Sequence, residues 1–262
     1  MRGDRMKKRF LILIFLFFFL INTVPTVTAG GKELYWYCKR NTEHKQPISD
    51  PIFSFLESAG GIYVDKSHGD ENGEKVIYLT FDAGYENGNV AKILDVLKEE
   101  GVCGSFFILE NVIKRNPELV LRMADEGHIV CNHTLSHTNL VGSSEDEFRD
   151  EVLGLEKMYF ELTGREMAKF FRPPEGSFDK EMLLRAKSLG YKTVFWSFAY
   201  ADWDNGKQPS EGDALKKILD NVHNGEIMLL HPTSETNARI MSELIRTLKE
   251  QGYSFLTLDK IE

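Results

Sequence analysis

Seven short apolar runs punctuate the chain from Val76 onward, each ending in polar or turn residues. They are VIYLTF (76–81), GSFFIL (104–109), HIVCN (128–132), KFF (169–171), KTVFWSF (192–198), EIMLL (226–230) and SFLTL (254–258). Between them apolar positions recur every three or four residues, the spacing of a helix with one buried face. This predicts helices over 90–100, 117–126, 144–163, 180–189, 212–222 and 235–251; in the first, Ile93, Leu94 and Leu97 share a face. Ser144 with Glu147 has the form of a capping box at the start of the third. Glycines at 101, 127, 164, 190 and 252 each follow a helical stretch, where a left-handed cap is wanted. Continuous apolar strands alternating with helices predict an α/β fold with a parallel sheet buried on both faces. Seven in succession point to a barrel-like closure or a doubly wound sheet.

The first 75 residues read differently. Arg2, Arg5, Lys7, Lys8 and Arg9 precede an unbroken apolar run over 10–21, and Val27-Thr28-Ala29 supplies small residues before Gly30. This is the pattern of an export signal over 1–29, and the run is about half of the ~20 residues a membrane span needs. An uncleaved anchor is the alternative, and it too would place the domain outside. Residues 30–75 are rich in polar and turn residues, with Trp36-Tyr37 ahead of a basic stretch. They are expected to form an N-terminal extension packed on a domain spanning 76–262.

The formal net charge is −8. Losing the basic signal would take it to roughly −12. An acidic surface argues against nucleic acid as a partner, which needs a basic footprint. Cys38, Cys103 and Cys131 fit no zinc or redox spacing. Cys103 and Cys131 lie at or beside strand runs and are expected to be small core residues; the pairing of Cys38 stays open.

In β/α barrels and open α/β sheets the site lies at the carboxyl ends of the strands. Here VIYLTF is followed by Asp82, HIVCN by His133 with His137 beyond, and KFF by Arg172. KTVFWSF leads to Asp202-Trp203 and EIMLL to His231. Five strands thus deliver charged or titratable groups to one end of the sheet. His133 and His137, four apart, would share a face on a helical turn, as a metal needs; the other reading is two unrelated surface histidines. Asp82 suits a metal ligand or general base, or a helix cap, although the AGYEN turn separates it from the next helix. Arg172 opens RPPEG, a rigid turn that would aim its guanidinium at a carboxylate such as Asp82. Trp203 could wall a sugar pocket or fill a core. Asp202 could keep His231 protonated as a general acid; alternatively His231 is a satisfied core histidine.

TFDAG (80–84), HTLSH (133–137), RPPEG (172–176), ADW (201–203) and LLHP (229–232) resemble, in order and spacing, the motifs of the NodB-type polysaccharide deacetylases, carbohydrate esterase family 4. TFDAGYENG and WYCKRNTEHKQP resemble the subgroup acting on N-acetylmuramic acid of peptidoglycan, on the way to muramic δ-lactam in spore cortex. The resemblance runs from about Trp36 to the C-terminus. It implies a distorted (β/α)7 barrel, with Asp82 as base, His231 as acid, Arg172 positioning Asp82 and Asp202 tuning His231. It also implies a divalent metal, zinc first and magnesium, manganese or cobalt otherwise, on His133 and His137. Trp203, Glu175 and Leu229 would contact substrate, and the backbone N–H near Glu175 would help hold the oxyanion. The partner would be a peptidoglycan glycan strand, reached after an amidase has removed the stem peptides. One departure stands out. Ala83 occupies the place of a second aspartate that usually binds the metal, which implies weak binding. Deacetylation of N-acetylglucosamine polymers or acetylated xylan is a second reading, and a non-catalytic glycan-binding pseudoenzyme is a third.

Overall fold

The computed structural model describes residues 31–69 and 73–261; the expected export signal lies outside the described residues. The strands are β1 (Leu34–Tyr35), β2 (Gly61–Ile62), β3 (Lys75–Ala83), β4 (Ser105–Ile108), β5 (Ile129–Asn132), β6 (Phe170–Phe171), β7 (Ser177–Phe178), β8 (Lys192–Val194), β9 (Phe198–Ala199), β10 (Glu226–Leu230) and β11 (Tyr253–Phe255). The helices are α1 (Val90–Glu99), α2 (Glu110–Arg115), α3 (Pro117–Asp125), α4 (Glu145–Thr163), α5 (Lys180–Ser188), α6 (Glu211–Leu219) and α7 (Glu235–Glu250).

The main sheet is parallel, in the order β2-β8-β6-β5-β4-β3-β10-β9. β8 and β9 are two halves of one stretch. The first half pairs with β6 and the second with β10, so residues 192–199 bridge the two edges and curl the sheet into a barrel. β3 carries neighbours on both sides along its length. β10 runs beside residues 77–81, β4 beside 80–83, and β11 below it beside 75–77. This is a distorted (β/α)7 barrel.

Strand alternation sorts the core. Val76, Tyr78, Phe107, Cys131, Val194 and Ile227, contributed by strands around the barrel, meet in one interior cluster. Ile77, Leu79, Phe81 and Ala83, the alternate residues of β3, pack outward with Ile93, Leu94 and Leu97 of α1 and Met241 and Leu244 of α7. Asp82 is therefore carried on the inward face at the upper end of the longest strand.

Three details differ from the sequence pattern. KTVFWSF is one apolar run but two strands, because its pairing partner changes midway. A short helix, α2, follows β4, where too few turns exist for periodicity to show. The extension also contributes to the sheet: β2 pairs with β8, β1 pairs antiparallel with β7, and Trp36, Phe53, Leu56 and Tyr63 share a cluster with Phe171, Phe178 and Phe195. Cys131 is buried and Cys103 half-buried; all three cysteines are unpaired. Among the described residues no helix is long and apolar enough to cross a membrane.

Candidate active site

At the carboxyl ends of the strands lies a cavity of about 710 Å³. Its walls include Asp82, His133, His137, Glu175, Trp203, Leu229 and His231. Arg172 and Asp202 lie beneath that surface, both fully buried.

Arg172 is a buried cation with every arm engaged. Nη1 donates to Asp82 Oδ1 at 2.7 Å, Nη2 to Thr80 Oγ1 at 2.9 Å and Phe195 O at 3.3 Å, and Nε to Val194 O at 3.1 Å. The guanidinium also lies 4.1 Å from the centre of the Phe107 ring. Burial works to raise the Asp82 pKa, but the charge and hydrogen bond of Arg172, with the charge of His231, outweigh it and hold the carboxyl below its usual range. Asp82 stays ionised. Its Oδ1 is taken by Arg172, and its Oδ2 faces His133 Nε2 at 3.6 Å.

The two histidines come together differently from the helical turn expected of HxxxH. Residues 133–137 form a loop in which Thr134 and His137 have φ of 70° and 64°, and this backbone brings the rings to 5.0 Å between centres. Glu151 helps hold the loop, accepting from Ser136 N at 2.9 Å and Ser136 Oγ at 2.7 Å. His133 Nδ1 is 2.8 Å from the carbonyl oxygen of Arg172, which can only accept, so the proton sits on Nδ1 and the Nε2 lone pair looks toward Asp82. Burial pushes this ring down to about 4, so it is neutral at ordinary pH. A lone pair facing an ionised carboxylate suits a cation between them, and an Nδ1–H bonded to a carbonyl is the usual support of a metal-binding histidine. Among the described residues, however, no three His, Cys, Asp or Glu side chains converge into a complete ligand set. Ala83 is part of the reason: it points into the outward apolar cluster, away from the cavity. Asn87, another oxygen donor nearby, is committed elsewhere, giving its amide to Thr233 O at 2.8 Å and accepting from Asn89 N.

Across the cavity Asp202 grips His231. Oδ1 takes ring Nδ1 at 2.7 Å, and Oδ2 takes the His231 backbone N–H at 2.8 Å. Burial disfavours the charged ring, but the bond to Asp202 and the charges of Asp202 and Asp82 prevail and raise the His231 pKa. Sequence reasoning missed the brace behind this pair. Asn237, fully buried in the first turn of α7, donates to Asp202 Oδ2 at 2.6 Å and to His231 O at 3.1 Å, while Tyr200 donates to Asn237 Oδ1. Trp203 stands at the rim, 60% exposed, with its ring edge-on to His231 at 6.2 Å. Glu175 has φ 59° and ψ 4°, a left-handed conformation that a non-glycine residue adopts only when its surroundings hold it. Next to it Gly176 is required: a Cβ there would stand 2.7 Å from the Trp196 ring.

The profile of the polysaccharide deacetylase family matches residues 69–194. The peptidoglycan N-acetylmuramic acid deacetylase PdaA of Bacillus subtilis is 38% identical over 232 residues, covering 88% of this chain and 86% of the relative. The chain belongs to the polysaccharide deacetylase family. The solved structure of PdaA, described as a family 4 carbohydrate esterase, superposes with a TM-score of 0.82 over 88% of this chain and 97% of that one. A peptidoglycan N-acetylglucosamine deacetylase of Bacillus cereus is 32% identical over 72% of this chain and 89% of the relative. A family 4 pseudoenzyme of Bacillus anthracis has 28% identity and a TM-score of 0.68 over 77% of this chain and 68% of that one. In this chain a carboxylate held by an arginine, Asp82, and an imidazole held by an aspartate, His231, both face the cavity.

Proposed function

We propose that this polysaccharide deacetylase removes the acetyl group from N-acetylmuramic acid residues of peptidoglycan, outside the cytoplasm, as a step toward muramic δ-lactam. The observation that carries the chemistry is a pair of opposed supports across one cavity, Arg172 on Asp82 and Asp202 on His231. The first favours an ionised carboxylate and the second a protonated imidazole, which is what amide hydrolysis asks of a base and an acid. A glycan-binding pseudoenzyme would have no use for that division. The muramic assignment rests on the likeness to PdaA over nearly the whole chain.

Asp82 Oδ2, the oxygen left free by Arg172, takes a proton from water as that water attacks the acetyl carbonyl. His231 Nε2, opposite the nitrogen engaged by Asp202, gives a proton to the departing amine as the C–N bond breaks. Acetic acid, which ionises to acetate, and a free amine leave; Asp82 then releases its proton to solvent and His231 regains one from it. His133 and His137, with Asp82 Oδ2 beside them, would hold a divalent metal, whose contribution when bound is to polarise the carbonyl. The Glu175 turn, Trp203 and Leu229 would shape the acetamide and sugar contacts. Among the described residues that line the cavity none is a lysine or arginine; a stem peptide on the lactyl carboxylate would remove its charge and add bulk.

Mass spectrometry of glycan fragments, after incubation with amidase-treated and untreated peptidoglycan, tests this. Acetyl loss on muramic acid, favoured on the peptide-free strand, is expected. Loss confined to glucosamine, or equal on both substrates, would discard the muramic assignment and leave the deacetylase one.

A further inference from the structure

The extension that precedes the barrel reaches the rim of the cavity. β1 pairs with β7 directly after the Glu175 turn, with Tyr35 opposite Ser177, and Trp36 N donates to Gly176 O at 2.8 Å. Trp36 lies inward and gives its indole N–H to Trp196 O at 2.8 Å, so Gly176 and Trp196, both cavity walls, rest on the extension. Tyr35, on the opposite face of the same strand, is 54% exposed. Beside it Glu33 accepts from Ser177 Oγ and from Asn139 Nδ2, both at 2.7 Å, and from the Tyr35 hydroxyl. Asn139 is two residues beyond His137, so Glu33 ties the extension to the histidine loop.

We infer that Tyr35 is a platform for a sugar ring of the glycan strand next to the residue being deacetylated, with Glu33 and Asn139 supplying partners for its hydroxyls. This rests on the deacetylase reading above. Three features point to a pyranose. The substrate is a polymer, so whatever lies against the rim of the cavity is the next sugar. An aromatic side chain exposed by more than half, beside a carboxylate and an amide, matches a ring with one apolar C–H face and an equatorial girdle of hydroxyls. The strand pairing continues into Ser177 and Gly176 without a break, so platform and cavity wall share one rigid backbone.

The test compares kcat and KM for peptide-free glycan strands of several disaccharides with those for a single disaccharide. The natural chain should favour the long substrate. Tyr35→Ala should raise KM for the long strand by about fivefold to tenfold, the loss of one stacking contact, and so erase that preference. Tyr35→Phe keeps the ring and should retain it. An unchanged preference in Tyr35→Ala, or an equal fall in kcat on both substrates, would overturn the platform and leave the deacetylase reading standing. A natural chain that deacetylates neither substrate would overturn both.

Discussion

Asp202 holds His231 at two points, its Oδ1 2.7 Å from ring Nδ1 and its Oδ2 2.8 Å from the backbone N–H of the same residue. One carboxylate thus sets both the position and the charge of the imidazole, and Asn237 donating from behind keeps it from turning. The raised His231 pKa means that the acid form persists above the ordinary imidazole value and is lost as pH rises through the raised one. The lowered Asp82 pKa means that the base form is lost only as pH falls below the usual carboxylate range. The pH profile of kcat/KM should therefore be a broad plateau with a late alkaline limb. Asp202→Asn removes the charge that favours imidazolium, so the alkaline limb should move to lower pH and the rate should drop on the order of 10²-fold or more. A variant with an unmoved alkaline limb would show that His231 is not the group titrating there.

Asp82 and Arg172 answer differently to substitution, because one faces the cavity and the other is sealed beneath it. Asp82→Asn leaves an oxygen for Arg172 Nη1 and should fold, while losing the proton acceptor and about 10² or more in rate. His231→Ala should lose a similar factor. Arg172→Met removes a cation with five-way support and leaves Asp82, Thr80 and two carbonyls without their donor, at a cost of about 3–5 kcal/mol. Circular dichroism melts beside turnover measurements separate the two classes. An Asp82→Asn protein with near-normal turnover would remove the base from the mechanism.

The barrel was legible because its strands are buried on both faces, so each appears as an unbroken apolar run, and five of the seven runs lead into a residue that lines or braces the cavity. What lay outside reach has physical reasons. The 133–137 loop looks helical by spacing alone, since only its two left-handed residues reveal the turn that replaces the helix. Asn237 was hidden because its role is defined by what it touches through space; its sequence neighbours SETNA show only a helix start. The strand at Gly61–Ile62 is two residues long, too short for any alternation to register. Tyr35 gave no chemical signal of its own, and its position beside Glu175 comes from an antiparallel pairing across more than 140 residues of chain.

Another buried carboxylate lies at the opposite end of the barrel. Glu226, at the start of β10, has no exposure; one oxygen accepts from His223 N at 3.0 Å and the other, Oε1, has no hydrogen-bond partner among the described residues. Burial pushes its pKa well above the ordinary carboxylate value, against the smaller pull of the His223 N–H. The folded state thus keeps a proton that the unfolded chain releases, so stability is greatest below the ordinary value and declines as pH rises toward the raised one. Glu226→Gln mimics the protonated form. Its melting temperature should match the natural chain near pH 4 and exceed it by several degrees near pH 8. A gap that does not widen with pH would mean that Glu226 is ionised in the folded protein.

Ala83 decides how a metal can be held. Its methyl packs outward among the side chains between β3 and α1, fully buried, whereas Asp82 one residue earlier faces the cavity. An aspartate at 83 would start in an apolar cluster and would need to swing its carboxylate around the end of β3 to meet His133 and His137. In chelator, Ala83→Asp should therefore be destabilised by about 2–4 kcal/mol, the cost of a buried polar group without a partner. With zinc, the added ligand would raise the set from two histidines to the three protein ligands usual for a catalytic site. Binding to the folded state alone then stabilises by mass action. The rise in melting temperature between chelator and saturating zinc should accordingly be larger for Ala83→Asp than for the natural chain, and calorimetric titration should show tighter binding. Equal responses would mean that the carboxylate never reaches the histidines. A natural chain that already binds zinc tightly would mean that the shell is completed from elsewhere, with Asp82 Oδ2, 3.6 Å from His133 Nε2, the nearest candidate.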